Sequence, residues 1–109
     1  MSNKEIKEYD KNNNLIYHKY SSGYEYWYKY DDNNNKIHYK NNDGSEYWME
    51  YDENNNLIHY KDFSGYERWY KYDKNNKRIK ITQQEFKQIE RRKTYLNNKK
   101  INRFEIMDI

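Results

Sequence analysis

The fold is decided by a 21-residue stretch, YDENNNLIHYKDFSGYERWYK, which runs from Tyr51 to Lys71. Its order of landmarks is a Tyr-Asp pair, an Asn cluster, an Ile, a Gly and a Trp. The same order occurs in the residues before this stretch and begins again after it. Periodicity of this length is typical of proteins built from stacked supersecondary units. We therefore interpret the chain as a repeat protein.

The landmarks keep a constant spacing of 21 residues along the chain. The Tyr-Asp pairs begin at Tyr9, Tyr30, Tyr51 and Tyr72. The other landmarks are Ile16, Ile37, Ile58 and Ile79, then Gly23, Gly44 and Gly65, and finally Trp27, Trp48 and Trp69. Several landmarks in phase over three full units leave little room for coincidence.

Each unit predicts two strands and two turns. The Gly lies in a two-residue hairpin turn such as Ser64-Gly65, where it supplies a positive φ. The Asn cluster forms a three-residue loop, residues 53–55 in the quoted unit, because Asn tolerates the left-handed conformation. That loop pairs Asp52 with Asn56. The predicted strands are residues 4–10, 14–20, 24–31, 35–41, 45–52, 56–62, 66–73 and 77–81.

These turns set a strand register in which Tyr60 pairs with both Trp48 and Trp69. The predicted Trp/Ile face carries one rung made of Trp27, Tyr39, Trp48, Tyr60 and Trp69, beside Ile16, Ile37 and Ile58. The predicted Tyr/Lys face carries Tyr17, Tyr28, His38, Met49, His59 and Tyr70, with flanking rungs that include Tyr26, Lys40, Tyr47, Lys61, Arg68 and Tyr51. A slip of one residue exchanges the two faces of a strand.

The residues after the repeats predict a helix. Thr82 and Glu85 have the spacing of a capping box. Apolar residues on one side favour a helix from about Gln83 to Leu96, within residues 82–98, that stops at Asn97-Asn98. Residues 99–109 are a tail or a short final strand at 103–109. The predicted fold is mainly β: a single domain, 1–109, with an antiparallel meander of about eight strands followed by one α-helix.

Composition alone does not decide between an ordered and a disordered chain. Hydrophobic residues make up 34% and charged residues 36% of the 109 residues, which is typical of disorder. However, 15 Tyr and 3 Trp bring aromatic content to 19%, which favours strands. The chain has no Cys, so disulfides and thiolate metal sites are excluded. The polar N-terminus and the lack of a long apolar run predict a cytoplasmic location without membrane contact.

The units from Tyr9-Asp10 to Tyr72-Asp73 resemble the YD repeat of RHS-type toxins and teneurins, over about residues 9–81. They are also similar to the MORN-like repeats of small bacterial antitoxin-type proteins. Asn stands here where the YD turn usually has Gly. The resemblance implies consecutive hairpins and no catalytic residues. RHS repeats coil into a closed shell around a toxin, and three and a half units are too few to enclose anything.

Candidate chemical groups are sparse. His38 and His59 are predicted to share a face about 10 Å apart, too far for one metal ion, with His18 on the other face. A predicted rung of Glu46, Asp62 and Glu67 has carboxylates about 5 Å apart, a spacing seen in two-carboxylate catalysis. We interpret that rung as a set of solvated side chains that vary from repeat to repeat, or as a contact for a cation or a Lys-rich partner. We therefore predict no enzyme activity, no metal and no cofactor.

The predicted Tyr/Lys face combines rings with interleaved cations. This combination is typical of single-stranded nucleic-acid binding and of protein interfaces. It also occurs where Lys stems simply cover exposed rings. Our predicted partner-binding residues are Tyr26, Lys40, Tyr47, Lys61, Arg68, Tyr28, Tyr51 and Tyr70.

The sequence therefore predicts a non-catalytic binding protein. Its partner is expected to be a protein or nucleoprotein, as for a small inhibitor from a phage or mobile element (anti-CRISPR-like) or an immunity or antitoxin-type protein. This assignment is an analogy based on size and composition. One alternative is a sheet that binds single-stranded RNA or DNA, and another is a structural repeat without a specific ligand. Pairing of two copies through a sheet face or edge is also open.

Overall fold

A computed structural model describes the backbone of residues 4–107 and the side chains of residues 4–98. Eight antiparallel strands form one meander sheet in chain order, and a single helix follows, which confirms the predicted mainly-β fold. The chain divides into two compact units, Met1–Arg68 and Trp69–Ile109, which are described separately. The elements are β1 (Ile6–Tyr9), β2 (Leu15–Lys19), β3 (Glu25–Tyr30), β4 (Lys36–Asn41), β5 (Glu46–Tyr51), β6 (Leu57–Asp62), β7 (Glu67–Tyr72), β8 (Arg78–Ile81) and α1 (Gln83–Met107).

The Asn turns have the predicted three-residue loop. The backbone N–H of Asp52 donates to the carbonyl of Asn56 at 2.9 Å, and Asn55 has a φ of 64°. The Asp52 carboxylate accepts the backbone N–H groups of Asn54 and Asn56, both at 2.9 Å. The Asp that directly precedes the loop therefore closes the turn with its side chain. Asp10, Asp31 and Asp73 do the same in their turns.

The Gly turns are longer than predicted. The backbone N–H of Asp62 donates to the carbonyl of Tyr66 at 3.0 Å, so the loop contains three residues instead of two. Gly65 takes its third position, with a φ of 91°. The Asp62 carboxylate accepts the backbone N–H groups of Ser64 and Tyr66, as Asp52 does in the Asn turn. The prediction of two-residue turns was wrong because Gly supplies a positive φ equally well in either loop.

A β-bulge follows each of the first three Asn turns. Tyr51 pairs with Leu57, but Glu50 pairs with His59, so Ile58 has no opposite residue. Ile16 and Ile37 are skipped in the same way. The last Asn turn lacks the bulge, since Tyr72 pairs with Arg78 and Lys71 with Ile79. The repeated Ile therefore marks a bulge, which increases the local twist of the sheet.

The longer turn and the bulge change which side chains share a face. Trp48 pairs with His38 and Lys61, whereas the sequence predicted Tyr39 and Tyr60. Directly paired residues point to the same face. The tryptophan face of the first unit therefore contains Trp27, Trp48, Tyr17, His38, His59, Lys40, Lys61, Glu25, Glu46, Glu50 and Glu67, and the tyrosine face contains His18, Tyr26, Tyr28, Tyr30, Lys36, Tyr39, Asn41, Tyr47, Met49, Tyr51, Leu57, Tyr60, Asp62 and Arg68.

Consecutive repeats are staggered along the strands. The row of paired residues that starts at Trp27 passes through Lys40 and reaches Glu46, two residues short of Trp48. This offset is about 7 Å along the strands and about 10 Å across them. The predicted single rung of tryptophans is therefore wrong, and Trp27 and Trp48 lie on a diagonal.

The described side chains bury very little. Within residues 4–98, Ile81 is the one buried hydrophobic residue, and His18 and Asn41 are the buried polar ones. Trp27 and Trp48 remain 37% and 39% exposed. Because an enclosed core is lacking among these residues, cross-strand side-chain contacts and turn hydrogen bonds must supply much of the stability, at about 0.2–1 kcal/mol per pair.

The helix begins as predicted and ends later. The Thr82 hydroxyl accepts the backbone N–H of Glu85 at 3.1 Å, and the Glu85 carboxylate accepts the backbone N–H of Thr82 at 3.4 Å. Helix α1 then continues to Met107, so the predicted stop at Asn97-Asn98 and the predicted strand from 103 are wrong. Asn costs a helix interior only about 0.7 kcal/mol, and no Gly or Pro follows. Asp108 and Ile109 lie outside the described residues. No helix within residues 4–107 is long and apolar enough to cross a membrane.

Candidate functional site

Tyrosine rings form a continuous layer on the tyrosine face of the first unit. Neighbouring ring centroids lie 5.1 to 6.4 Å apart, mostly in tilted arrangements, with stacked pairs at Tyr39–Tyr47 and Tyr47–Tyr60. Such pairs add about 0.5–1.5 kcal/mol beyond the area that they bury. The layer consists of Tyr20, Tyr24, Tyr26, Tyr28, Tyr30, Tyr39, Tyr47, Tyr60 and Tyr66.

Polar partners hold several of these rings in place. The side-chain amide of Asn41 donates to the hydroxyls of Tyr24 at 2.7 Å and Tyr39 at 3.0 Å. The Tyr26 hydroxyl lies 2.6 Å from Nδ1 of His18, whose Nε2 lies 2.7 Å from the Glu5 carboxylate. His18 and Asn41 are the buried polar residues among residues 4–98, so they anchor the layer from within.

The packing also makes the tyrosine face unfavourable for charge on the phenols. Burial raises the pKa of Tyr26, Tyr28, Tyr51 and Tyr60 above the ordinary tyrosine value. The hydrogen bond to Tyr39 raises the pKa of Tyr24. These five phenols are therefore held in the neutral form by their surroundings.

Cations on this face lie against rings. The Lys36 ammonium is 3.8 Å from the centre of the Tyr28 ring, and the Arg68 guanidinium is 4.0 Å from that of Tyr66. In the second unit, the Arg78 guanidinium lies 4.7 Å from the centre of the Tyr70 ring. These cation–π contacts keep the charged groups over aromatic surface.

The structure separates the predicted partner-binding residues. Tyr26, Tyr28, Tyr47, Tyr51 and Arg68 lie together on the tyrosine face. Two predicted members, Lys40 and Lys61, lie on the tryptophan face instead, because the strands that carry them are displaced by one residue. The last, Tyr70, belongs to the second unit.

Two residues central to the layer were assigned to the wrong face. Tyr39 and Tyr60 each contact two or more other tyrosines. The sequence placed them in the tryptophan rung. The distribution of tyrosines over neighbouring strands is the signal that could have corrected this assignment. Tyr39 and Tyr60 complete a layer of rings only when they lie on the same face of the sheet as Tyr28 and Tyr47.

The tryptophan face repeats a different cluster. His38 stacks on Trp48 with ring centroids 5.6 Å apart, and its Nε2 lies 2.7 Å from the Glu46 carboxylate. One repeat earlier, the Tyr17 hydroxyl donates to Glu25, which raises the pKa of Tyr17 to about 12. The glutamates are therefore occupied by aromatic donors in both repeats.

The candidate catalytic and metal-binding groups are dispersed. Glu46 and Glu67 hydrogen-bond to His38 and His59 respectively, while Asp62 lies on the tyrosine face, so the predicted three-carboxylate rung is wrong. His38 and His59 share a face and His18 lies on the other, as predicted, although the two faces are exchanged. No group of three or more His, Cys, Asp or Glu within the described residues is placed to hold a metal ion.

A shallow groove of about 540 Å³ lies near an Asn turn and is lined by residues of the tryptophan face together with Met49 and Tyr51. Its apolar floor includes Ile37 and Trp48, and Lys29, Asp31 and Glu50 line its charged rim. The bulge at Ile37 places this side chain beside Trp48. The groove is thus a direct result of the repeat geometry.

Charge is distributed unevenly along the chain. Residues 1–82 contain fourteen Lys or Arg and fourteen Asp or Glu, so the repeats have no net charge. Residues 83–107 contain seven Lys or Arg and three Asp or Glu, a net charge of +4. The mild positive charge of the protein therefore belongs to helix α1.

No protein-family model matches the chain, and no curated protein matches it. The resemblance to YD-type repeats stays a hypothesis based on the landmarks within residues 9–81.

Proposed function

We propose that the protein is a non-catalytic binding protein that engages a protein partner through the tyrosine face of its first unit. The observation that carries this proposal is the continuous layer of nine half-buried or exposed tyrosines on one side of the sheet. Tyrosine supplies large, amphipathic contact area at low cost in conformational entropy.

The tyrosine side chains are held in place before any partner binds, which also supports a binding function. Asn41 and His18 already hydrogen-bond to the hydroxyls of Tyr24 and Tyr26, and neighbouring rings restrict one another. Side chains that are immobile before binding lose little freedom on binding, at a saving of about 0.5–1.5 kcal/mol for each one.

Charge favours a protein over single-stranded nucleic acid on this face. Lys40 and Lys61 lie on the opposite face, and the cations Lys36 and Arg68 lie over rings. A strand-binding sheet requires cations that follow the phosphate backbone. The biological role that we propose for such a surface is that of a small inhibitor from a phage or mobile element, or of an immunity or antitoxin-type protein.

A comparative pull-down tests the proposal. The wild-type chain, a Tyr28→Ser/Tyr47→Ser variant and a Trp27→Ser/Trp48→Ser variant are used as baits in nuclease-treated lysate of the native host. The Trp pair is a matched control, because it removes two rings from the same two strands on the other face. We expect one salt-stable protein to bind the wild type and the Trp variant but not the Tyr variant.

Loss of binding counts only if the Tyr variant is folded, as shown by a cooperative thermal transition and a wild-type far-UV spectrum. If it unfolds, Arg68→Glu replaces it, because this change alters the surface at a single charged position. Equal capture by the Tyr-face and Trp-face variants would contradict the proposal. Capture that occurs in untreated lysate and is lost in nuclease-treated lysate would indicate nucleic-acid binding instead.

A further inference from the structure

Helix α1 contains the net positive charge of the protein, although the repeats before it are neutral. Its sequence has a net charge of +4, with seven cations among 25 residues. Four of the cations lie in the part whose side chains are described, namely Lys87, Arg91, Arg92 and Lys93, and all four are exposed. Clustering of Lys and Arg along one helix is the electrostatic pattern of nucleic-acid-binding elements.

The two sides of the helix differ. Phe86, Ile89 and Glu90 are half-buried, and Ile89 shares a small recess with Lys71 within the second unit. At 100° per residue, Arg91 and, one turn further along, Tyr95 lie on the side opposite these residues, and Lys87 lies on the flank next to them. Tyr95 is 59% exposed. A basic stripe with an aromatic ring is therefore directed away from the packed side.

Local ion pairing leaves this stripe positively charged. Lys93 lies on the packed side and forms an ion pair with Glu90 at 3.4 Å. Glu85 completes the capping box with Thr82, at the beginning of the helix. The two acidic groups in the described part of the helix therefore have partners other than Lys87 and Arg91.

From Arg91 to Asn98 every residue is exposed, so packing of this segment within the chain contributes little to its stability. Isolated helices are marginal in water, and a polar helix gains stability when a partner neutralises its charge. A polyanion complements a helix that has this excess of cations.

We propose that helix α1 binds nucleic acid through the phosphate backbone, with Lys87 and Arg91 as the contacting cations. This site is on a different element from the tyrosine face and does not depend on the protein partner proposed above. Binding is expected to be insensitive to base sequence, because Lys and Arg contacts to phosphate carry no sequence information directly. It is also expected to weaken steeply with salt.

The test uses the full chain and a short fluorescein-labelled DNA duplex, with fluorescence anisotropy measured between about 50 and 200 mM salt. A Lys87→Ala/Arg91→Ala variant is compared with Lys11→Ala/Lys74→Ala, which removes the same charge from exposed Asn-turn positions. We expect the helix variant to lose about tenfold or more in affinity, and the slope of log K against log salt to fall by about 1.8, or about 0.9 per lost phosphate contact. The turn variant should keep the wild-type affinity and slope.

Three results would overturn the proposal. The first is the absence of measurable duplex binding by the wild type at the lowest salt. The second is an equal loss in both variants, which would indicate general charge attraction. The third is displacement of the duplex by polyglutamate at equal charge concentration, which would indicate an acidic protein as the partner. The ellipticity at 222 nm must be unchanged in the helix variant, and Lys87→Gln/Arg91→Gln replaces it if helix content falls.

Discussion

Replacing Asp31 with Ala removes the side chain that closes an Asn turn from within. One Asp31 carboxylate oxygen accepts the backbone N–H groups of Asn33 at 2.9 Å and Asn35 at 2.8 Å. The other accepts the side-chain amide of Asn35 at 3.2 Å, and that amide also donates to Asn55 of the next repeat at 2.8 Å. The substitution therefore removes three hydrogen bonds and loosens a link between repeats.

The expected loss follows from these contacts. A hydrogen bond contributes about 0.5–1.5 kcal/mol net, and the turn is partly exposed, which favours the lower part of that range. Loss of a comparable helix cap costs about 1 kcal/mol. We expect the free energy of unfolding to fall by about 1–2 kcal/mol, which corresponds to a decrease in Tm of roughly 5–10 °C.

The neighbouring Asp32 provides the control. It is exposed at the first loop position, so Asp32→Ala changes net charge equally and should alter stability by less than about 0.5 kcal/mol. Asp31→Asn should keep most of the stability, because Asn41 closes its own turn through the side-chain oxygen, at 3.0 Å from the backbone nitrogens of Asp43 and Ser45. Urea denaturation at neutral pH, followed by tryptophan fluorescence, measures all three variants. Equal losses in Asp31→Ala and Asp32→Ala would refute the proposed role of the turn.

Three further predictions concern the phenols, the Gly turn and the helix cap. The pKa of Tyr17 is raised to about 12, so its neutral form contributes full stability below the unfolded-state pKa of about 10, and this contribution is lost as pH rises further. The difference in absorbance at 295 nm between the wild type and a Tyr17→Phe variant should therefore show that Tyr17 ionises well above pH 10, and ionisation of Tyr17 at the ordinary tyrosine pKa in the intact fold would contradict this. Gly65→Ala should lower the free energy of unfolding by about 1–2 kcal/mol through the φ of 91° alone, since no atom lies within 4 Å of the added Cβ. Gly65→Asn should lower it less, as measured by thermal denaturation, and equal effects of the two substitutions would argue against backbone strain. Thr82→Ala should destabilise helix α1 by about 1 kcal/mol, visible as lower ellipticity at 222 nm, and Thr82→Ser should retain the cap; an unchanged signal in Thr82→Ala would show that the cap is dispensable.

The number and order of the strands could be predicted because both depend on local signals. Asn and Gly occupy the positions where the backbone takes a positive φ, and each turn produces one antiparallel pair. The capping box at Thr82 is similarly local, since its donors and acceptors are three residues apart. These features need no information about distant parts of the chain.

The assignment of faces could not be predicted in the same way. The Gly turn has one loop residue more than expected, and Ile37 and Ile58 are bulged, so Tyr39 and Tyr60 move to the opposite face. Each error is a single residue, but side chains alternate with a period of two, so every following residue of that strand is inverted. As a result, Lys40 and Lys61 leave the predicted site.

The end of the helix was missed for a related reason. Phe104 and Ile106 fit a strand by alternation, and they fit a helix as well, because short apolar patterns do not distinguish the two. The concentration of charge in residues 83–107 was visible in the sequence. The sequence did not show that these charges lie on a single element, and the structure shows that residues 83–107 form one continuous helix.

The sequence by itself determined a meander of eight strands, the positions of its turns and the neutral charge of its repeats, since all three depend on residue identity at a fixed spacing. The tertiary structure decided which side chains share a surface. That choice depends on whether a loop has two or three residues and on whether an Ile is paired or bulged. These alternatives differ little in local energy, and the packing of one strand against the next selects between them. The tyrosine layer and the exposed basic helix are the two surfaces that result.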